Sequence, residues 1–270
     1  MNEKYNHILE NFDNAHNRFS WITKEQFAYL KQNFHDLDCN LRVFISYSNE
    51  DRKIAAMAKD AFSMIGVNSF MAHEDIQPTK QWKIEIISEL KKCNLFAPII
   101  TENFKQSDWA NQESGAAIIR GINIIPISIA LPGETFTNPY GFIGDYQALK
   151  YKVNDITSLE NKGANNHTLT LGGELCKAFL GIDNVINKVR TCFLNSFLNS
   201  ESFAESNSKV KFLESLGQFD ADQLKMIVFG FALNDQIFKP SVARRGVQGL
   251  IENNLKVLDD TIISIWESSK

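Results

Sequence analysis

Between residues 41 and 150, the chain alternates short apolar runs with longer segments in which apolar residues recur at helical spacing. The runs are rich in β-branched and aromatic residues, which is typical of buried strands. They predict strands at residues 42–47, 67–71, 94–100, 122–128 and 146–151. The intervening segments predict helices at residues 52–65, 81–92 and 107–121. Strands that alternate with helices of this length form right-handed βαβ units. We therefore expect an α/β domain with a five-stranded parallel sheet.

The sequences on either side of this region predict helices. In the N-terminal segment, Thr23 and Gln26 have the spacing of a capping box. Residues 175–198 predict a helix that is broken around Gly181, and the polar stretch 200–208 predicts a boundary. Further helical spacing occurs at residues 210–216, 220–232, 241–253 and 255–266. These patterns predict an N-terminal helical segment (1–39), an α/β domain (40–199) and a C-terminal helical module (208–270).

The composition excludes several classes of protein. A formal net charge of −4 over 270 residues does not favour a nucleic-acid surface or binding to an anionic membrane. The first residues show no signal-peptide pattern, and no apolar run approaches the roughly 18 residues of a membrane span. A cytoplasmic protein is therefore expected.

The four cysteines form no Cys-x-x-Cys pair and have no histidine at ligand spacing. Zinc binding and disulfide formation are both disfavoured by this pattern. We interpret the cysteines as reduced thiols and expect no bound metal.

Polar side chains follow the predicted strands, and in a parallel sheet such positions gather at one edge, where ligands bind. Ser46, Tyr47 and Ser48 end the first strand, and the loop at residues 72–80 follows the second. Hydroxyls and backbone dipoles at such a strand end could reach a phosphate, although ordinary strand-end capping explains them equally well.

After the third strand come Trp109 and Glu113, which lie on the same face if their segment is helical. A glutamate in that position could polarise a sugar hydroxyl or stabilise a cationic sugar. The simpler alternative is a glutamate on the surface of a helix.

Four motifs follow one another in the chain. They are Phe44-Ile45-Ser46-Tyr47; a loop that contains His73, Asp75 and Pro78 and leads to Trp82; Ser107-x-Trp109-x-x-x-Glu113; and Ile125-Pro126-Ile127. In this order and spacing they resemble a TIR (Toll/interleukin-1 receptor) domain of the bacterial kind. The resemblance implies a flavodoxin-like fold with a five-stranded parallel sheet.

Many bacterial TIR domains cleave NAD+ at the bond between nicotinamide and ribose, and the glutamate of the Trp-x-x-x-Glu step is catalytic. The resemblance therefore implies that Glu113 is catalytic and that NAD+ is a consumed substrate, with no cofactor and no metal. It also implies a set of substrate-binding residues: Ser46, Tyr47, Ser48, Asp75, Trp82 and Trp109. Core packing remains the alternative for the two tryptophans, and a solvated loop acid the alternative for Asp75.

The function expected from this resemblance is NAD+ hydrolysis or cyclisation by an antiphage or toxin-like effector that is activated by self-assembly. The C-terminal helices are candidates to bind an activating ligand or protein. The alternative is a non-catalytic adaptor that signals through TIR–TIR contacts. A receiver-like domain is a third reading, but the acids that receivers need after their first and third strands are missing here.

Overall fold

The computed structural model describes residues 22–33, 39–71, 82–155, 157 and 165–270. The chain divides into two compact units. One unit is the continuous segment Asn40–Val189, and the other combines Met1–Cys39 with Arg190–Lys270. The continuous unit is called here the sheet unit, and the discontinuous one the helical unit.

The sheet unit contains a parallel sheet. Its strands are β1 Arg42–Ser46, β2 Asn68–Met71, β3 Leu95–Ile100, β4 Asn123–Ile124, β5 Ile127–Ala130 and β6 Leu149–Lys152. They follow the order β2-β1-β3-β5-β6, with β4 paired to β3, and every pairing is parallel. Because β4 and β5 share one position beside β3, the sheet has five positions in the order of flavodoxin-like folds. The predicted fold class is confirmed.

The predicted fourth strand is divided in two by Ile125 and Pro126. Proline has no backbone N–H and cannot donate to a strand ladder. The hydrogen bonds continue around it, because Ile125 N donates to Phe96 O at 2.9 Å and Leu149 N donates to Pro126 O at 2.8 Å. The second half of the strand then runs on beside β6.

Helices account for most of the remaining described residues. They are α1 Lys24–Asn33, α2 Arg52–Met64, α3 Trp82–Lys92, α4 Glu102–Gln106, α5 Asp108–Ile119, α6 Asn166–Phe179, α7 Asp183–Leu198, α8 Phe203–Lys209, α9 Phe212–Ser215, α10 Ala221–Leu233, α11 Asp235–Phe238, α12 Ser241–Glu252 and α13 Asp260–Ser269. Short 3₁₀ turns occur at Asn49–Asp51, Gly141–Ile143 and Leu255–Val257.

The helix predicted at residues 107–121 is present as α5, and a short helix that was not predicted, α4, precedes it. Thr101 caps α4, with its hydroxyl accepting from Phe104 N at 3.0 Å. Ser107 ends α4 and caps α5, since its hydroxyl accepts from Ala110 N at 3.3 Å. The extra turn offsets the start of α5 from the end of β3.

One face of the sheet is lined by aromatic rings. The ring centroid of Phe44 lies 5.4 Å from that of Phe70 and 6.0 Å from that of Phe96. Ile86 of α3 and Ala110 and Ala117 of α5 belong to the same buried cluster. This apolar packing fixes α5 against the strands and so determines where its polar side chains lie.

The helical unit is organised around α10, in which every residue from Met226 to Leu233 is buried. The predicted capping box is confirmed, and the structure adds a second one. Thr23 and Gln26 exchange hydrogen bonds at the start of α1, and Asp220 with Gln223 does the same before α10. The stretch 200–208, predicted as a boundary, instead contains most of α8.

A disulfide joins Cys39 to Cys192, at a sequence separation of 153. The expectation that all four cysteines are reduced thiols is therefore wrong for this pair, whereas Cys93 and Cys176 are free and buried. Since the partners lie so far apart in the chain, their spacing gave no signal.

None of the described helices has the length and apolar character required to cross a membrane.

Candidate active site

Glu113 lies on the inward face of α5. Ala110, Ser114 and Ala117 are buried on the same helix, and this side of the helix contacts β1 and β3. The predicted helical placement of Trp109 and Glu113 is therefore present. The carboxyl group of Glu113 is directed towards the sheet and not into solvent, and the residue is only 7% exposed.

Ser46 meets Glu113 at the carboxyl end of β1. The serine hydroxyl donates a hydrogen bond of 2.6 Å to Oε2 of Glu113. Among the described residues, this hydroxyl is the only hydrogen-bond partner of the carboxyl group. Ser46 itself is 1% exposed, so the pair lies beneath the surface.

Burial raises the pKa of Glu113 to about 7, and the hydrogen bond from Ser46 opposes that shift. Water solvates an ionised carboxylate well, whereas a protein interior with one donor does so poorly. A carboxyl group with a pKa near 7 changes its charge close to neutral pH. Such a shift is common at catalytic positions, where the group must be poised for its task.

Trp109 lies one turn before Glu113 on α5 and is partly exposed. The ammonium group of Lys83, on α3, lies 5.7 Å from the centroid of the indole ring. The indole is therefore accessible at the surface near the start of both helices, where a planar ligand could stack on it.

The other predicted substrate-binding residues are placed unevenly. Tyr47 and Ser48 follow β1 directly and are buried, and the Ser48 hydroxyl donates to the carboxylate of Glu50. Trp82 begins α3, but its side chain is outside the described part of the structure, as are Asp75 and the whole segment 72–81. Their roles stay predictions.

A second polar cluster, which the sequence patterns do not predict, joins the segments after β1 and β3. Asp51 accepts hydrogen bonds from the Thr101 hydroxyl at 2.5 Å and from the Asn103 amide at 2.9 Å. Burial raises the pKa of Asp51, in opposition to these hydrogen bonds. Asp51 and Thr101 each follow a strand, and that position was the signal that could have singled them out.

This cluster borders a cavity of about 490 Å³ at the carboxyl edge of the sheet. Its charged lining consists of Glu50, Asp51, Lys53, Glu102 and Glu134. With four carboxyl groups and one ammonium group, the cavity suits hydroxyl-bearing groups better than phosphate. No group of three or more metal-ligating side chains occurs among the described residues.

The comparisons with known proteins bear on the sheet unit. The family model for the TIR domain matches residues 43–160, a range that runs from β1 to beyond β6. Residues 43–160 form a TIR domain. Among solved structures, the TIR domain of the Toll-related receptor TRR-2 from Hydra magnipapillata is similar at 19% identity, covering 40% of this chain and 82% of that chain with a TM-score of 0.34. No curated protein sequence matches the chain.

TIR domains include enzymes that cleave NAD+ and members that have no catalytic activity. Family membership alone therefore does not decide whether this TIR domain is catalytic, which depends on its own residues. The relevant ones are Ser46, Trp109 and Glu113, which the fold gathers around the start of α5 and the end of β1.

Proposed function

We propose that this protein cleaves NAD+ between nicotinamide and ribose, with Glu113 as the catalytic residue. The observation that carries the proposal is the buried carboxyl group of Glu113, held by Ser46 at the carboxyl edge of the sheet. Ligands of open parallel sheets bind beyond this edge.

The chemistry requires a negative charge beside the ribose. When the bond between C1′ and the pyridinium nitrogen breaks, its electron pair leaves with neutral nicotinamide, and a positive charge develops on the ribose. An ionised carboxylate that is already in place stabilises this charge without reorganisation of solvent. Water then adds to C1′ and loses a proton to give ADP-ribose, or a nitrogen of the adenine ring adds instead and gives a cyclic product.

Trp109 supplies a surface for the planar part of the substrate. Its partly exposed indole lies one helical turn from Glu113. An aromatic ring in this position can stack on the nicotinamide or the adenine base. In this proposal Tyr47, Ser48, Asp75 and Trp82 complete the binding site.

TIR domains self-associate through TIR–TIR contacts, and we expect this chain to act as an assembly. The loop that contains Asp75 would then be completed by a neighbouring protomer. An enzyme that consumes NAD+ without control would kill its host, so the assembly acts as the on state. A toxin-like or antiphage effector in the cytoplasm, triggered through its C-terminal helices, is the role that fits such control.

The test is NAD+ consumption by the purified full-length protein at high concentration, compared with Glu113→Gln and with chromatography of the products. We expect nicotinamide to appear only with the wild type, at a rate that rises with pH around a midpoint near 7, because the carboxyl group must ionise. The identity of the second product separates hydrolysis from cyclisation.

A matched control is Glu174→Gln, which changes a partly exposed glutamate on α6 of the same unit. This variant should retain wild-type activity. Equal activity of wild type and Glu113→Gln would refute the proposal. No turnover by an assembled wild-type protein would favour the adaptor function.

A further inference from the structure

Ser46 is held more rigidly than a loop residue would be. It is the last residue of β1, which lies between β2 and β3, and it is in register with Pro98 of β3. Its side chain is 1% exposed, so neighbouring atoms surround the hydroxyl. The position of this donor is therefore set by the centre of the sheet.

The hydrogen bond from Ser46 engages only one of the two carboxyl oxygens of Glu113. Oε2 accepts from Ser46 at 2.6 Å, and among the described residues Oε1 has no hydrogen bond. A carboxyl group bound through one oxygen loses rotational freedom about its last bond. The second oxygen then has a fixed direction in which to meet a substrate hydroxyl or a developing charge.

We propose that Ser46 is a positioning residue that anchors Oε2 of Glu113 and so presents Oε1 to the ribose of the substrate. This inference rests on the proposed function. In it, the Ser46 hydroxyl contacts Glu113 and not the substrate. The serine acts through the glutamate, whereas Glu113 touches the reacting sugar.

The same hydrogen bond favours the ionised form of the carboxyl group. The influences on its titration are burial, which disfavours the charge, and the Ser46 hydroxyl, which favours it; no charged side chain among the described residues contributes. Removing the hydroxyl therefore leaves burial unopposed. A hydrogen bond to a charged group corresponds to roughly one to two pH units of titration midpoint.

The experiment compares Ser46→Ala and Ser46→Thr with the wild type over pH 5.5 to 9.5. For Ser46→Ala we expect the midpoint of kcat to move upward by about one to two units. The rate at pH 7 should fall about 5- to 50-fold and recover at high pH, with KM changed less than about twofold. Ser46→Thr keeps the hydroxyl and should retain the wild-type midpoint.

Ser114→Ala is the matched control. Ser114 is also buried and is adjacent to Glu113, but its hydroxyl donates to Ala110 O within its own helix at 2.7 Å. If the loss of any buried hydroxyl were enough, Ser46→Ala and Ser114→Ala would change kcat alike. We expect the pH midpoint of kcat to move only in Ser46→Ala. If Ser46→Ala folds poorly, Ser46→Cys keeps a similar volume with a much weaker donor and tests the same prediction.

A second readout does not require turnover. In protein labelled with ¹³C at the glutamate side-chain carboxyl, the signal missing from Glu113→Gln identifies Glu113, and its titration is followed directly. An upward shift of the Glu113 pKa in Ser46→Ala would support the hydrogen bond from Ser46, whether or not the protein cleaves NAD+. If the wild type leaves NAD+ intact, only the proposed function is refuted. An unchanged titration, or a raised KM with an unchanged pH profile of kcat, overturns the positioning role.

Discussion

Trp109 and Glu113 lie one turn apart on α5, yet the carboxyl group of Glu113 is buried while the indole of Trp109 is partly exposed near the ammonium group of Lys83. The two residues therefore face different media. One can hold a charge in a poorly solvated site, and the other can offer a flat surface to a ligand. In the proposed function, the Trp-x-x-x-Glu step would therefore combine two separate tasks on neighbouring turns of one helix.

Loss of the indole should weaken substrate binding and leave the titration of the carboxyl group in place. We expect Trp109→Ala to lower kcat/KM for NAD+ about tenfold or more, since stacking of a base on an aromatic ring contributes about 1–3 kcal/mol. Trp109→Phe should retain most of the activity. Steady-state kinetics across pH give the measurement, and a displaced pH midpoint in Trp109→Ala would contradict the separation of roles.

Glu113 should make the stability of the protein depend on pH. The folded pKa is about 7 and the ordinary value is 4.5. Between those values the native state holds a proton that the unfolded chain releases, so stability is fully present below about pH 4.5 and is lost as the pH rises to 7. The cost of ionising the buried group amounts to about 3 kcal/mol at pH 8.

Glu113→Gln removes this cost. We expect the variant to be more stable than the wild type by up to about 3 kcal/mol at pH 8, and by less than about 1 kcal/mol at pH 5. Urea unfolding at the two pH values measures the difference. Glu174→Gln, the partly exposed control on α6, should show little change at either pH. A stabilisation of the same size at both pH values would argue against a buried, titrating carboxyl group.

The bond between Cys39 and Cys192 should stabilise the helical unit. In the chain-entropy model, closing a long loop restricts the unfolded state, and removal of such a bond typically costs about 2–5 kcal/mol. We expect the double variant Cys39→Ser/Cys192→Ser to unfold at a lower temperature than the wild type. Dithiothreitol should lower the melting temperature of the wild type and leave that of the variant unchanged.

Thiol titration of the unfolded, unreduced wild type provides an independent check. It should find two reactive thiols, which belong to Cys93 and Cys176. Four reactive thiols would show that the bond does not form.

Two glycines of the helical unit should respond in opposite directions to the same substitution. A Cβ atom at Gly230 would lie 2.6 Å from Cδ2 and 3.0 Å from Cγ of Leu198, whose side chain is itself buried. Gly230→Ala should therefore destabilise the protein by about 1–3 kcal/mol. At Gly249, on α12, no such atom lies within 4 Å. Gly249→Ala should stabilise by up to about 1 kcal/mol through helix propensity.

Chemical denaturation of both variants gives the comparison. If Gly230→Ala leaves the midpoint unchanged or raises it, α10 does not pack closely against Leu198; if Gly249→Ala lowers it, the gain in helix propensity at that position is refuted.

Hydrophobic periodicity predicted the sheet because strand and helix patterns are local, and every predicted strand has a counterpart in the structure. Hydrophobic periodicity did not predict where an element begins or breaks when a single capping residue or proline determines that point. Thr101 caps α4, a short helix that the pattern did not predict, and Pro126 divides one apolar run into two strands. In residues 200–208, a polar composition predicted a boundary, whereas Ser202 caps a helix there by accepting from Glu205 N.

The candidate site was predictable in its parts and not in its arrangement. Ser46 and Glu113 were each singled out by position, but they are 67 residues apart in sequence, and only folding brings the hydroxyl to the carboxyl group. The disulfide and the Asp51 cluster are likewise contacts between distant segments. A hydrophobic pattern over about 10 to 20 neighbouring residues carries no information about contacts between segments that are far apart in the chain.

The discontinuity of the helical unit has a consequence for the order in which the protein matures on the ribosome. The sheet unit is complete in sequence at Val189, while the helical unit needs both Met1–Cys39 and the last residues of the chain. During synthesis the TIR domain can therefore fold first, at a time when only the N-terminal part of the helical unit has been made. Any restraint that the finished helical unit exerts would then be imposed on a domain that has already folded, and a chain truncated at residue 189 would contain the whole TIR domain without a complete helical unit.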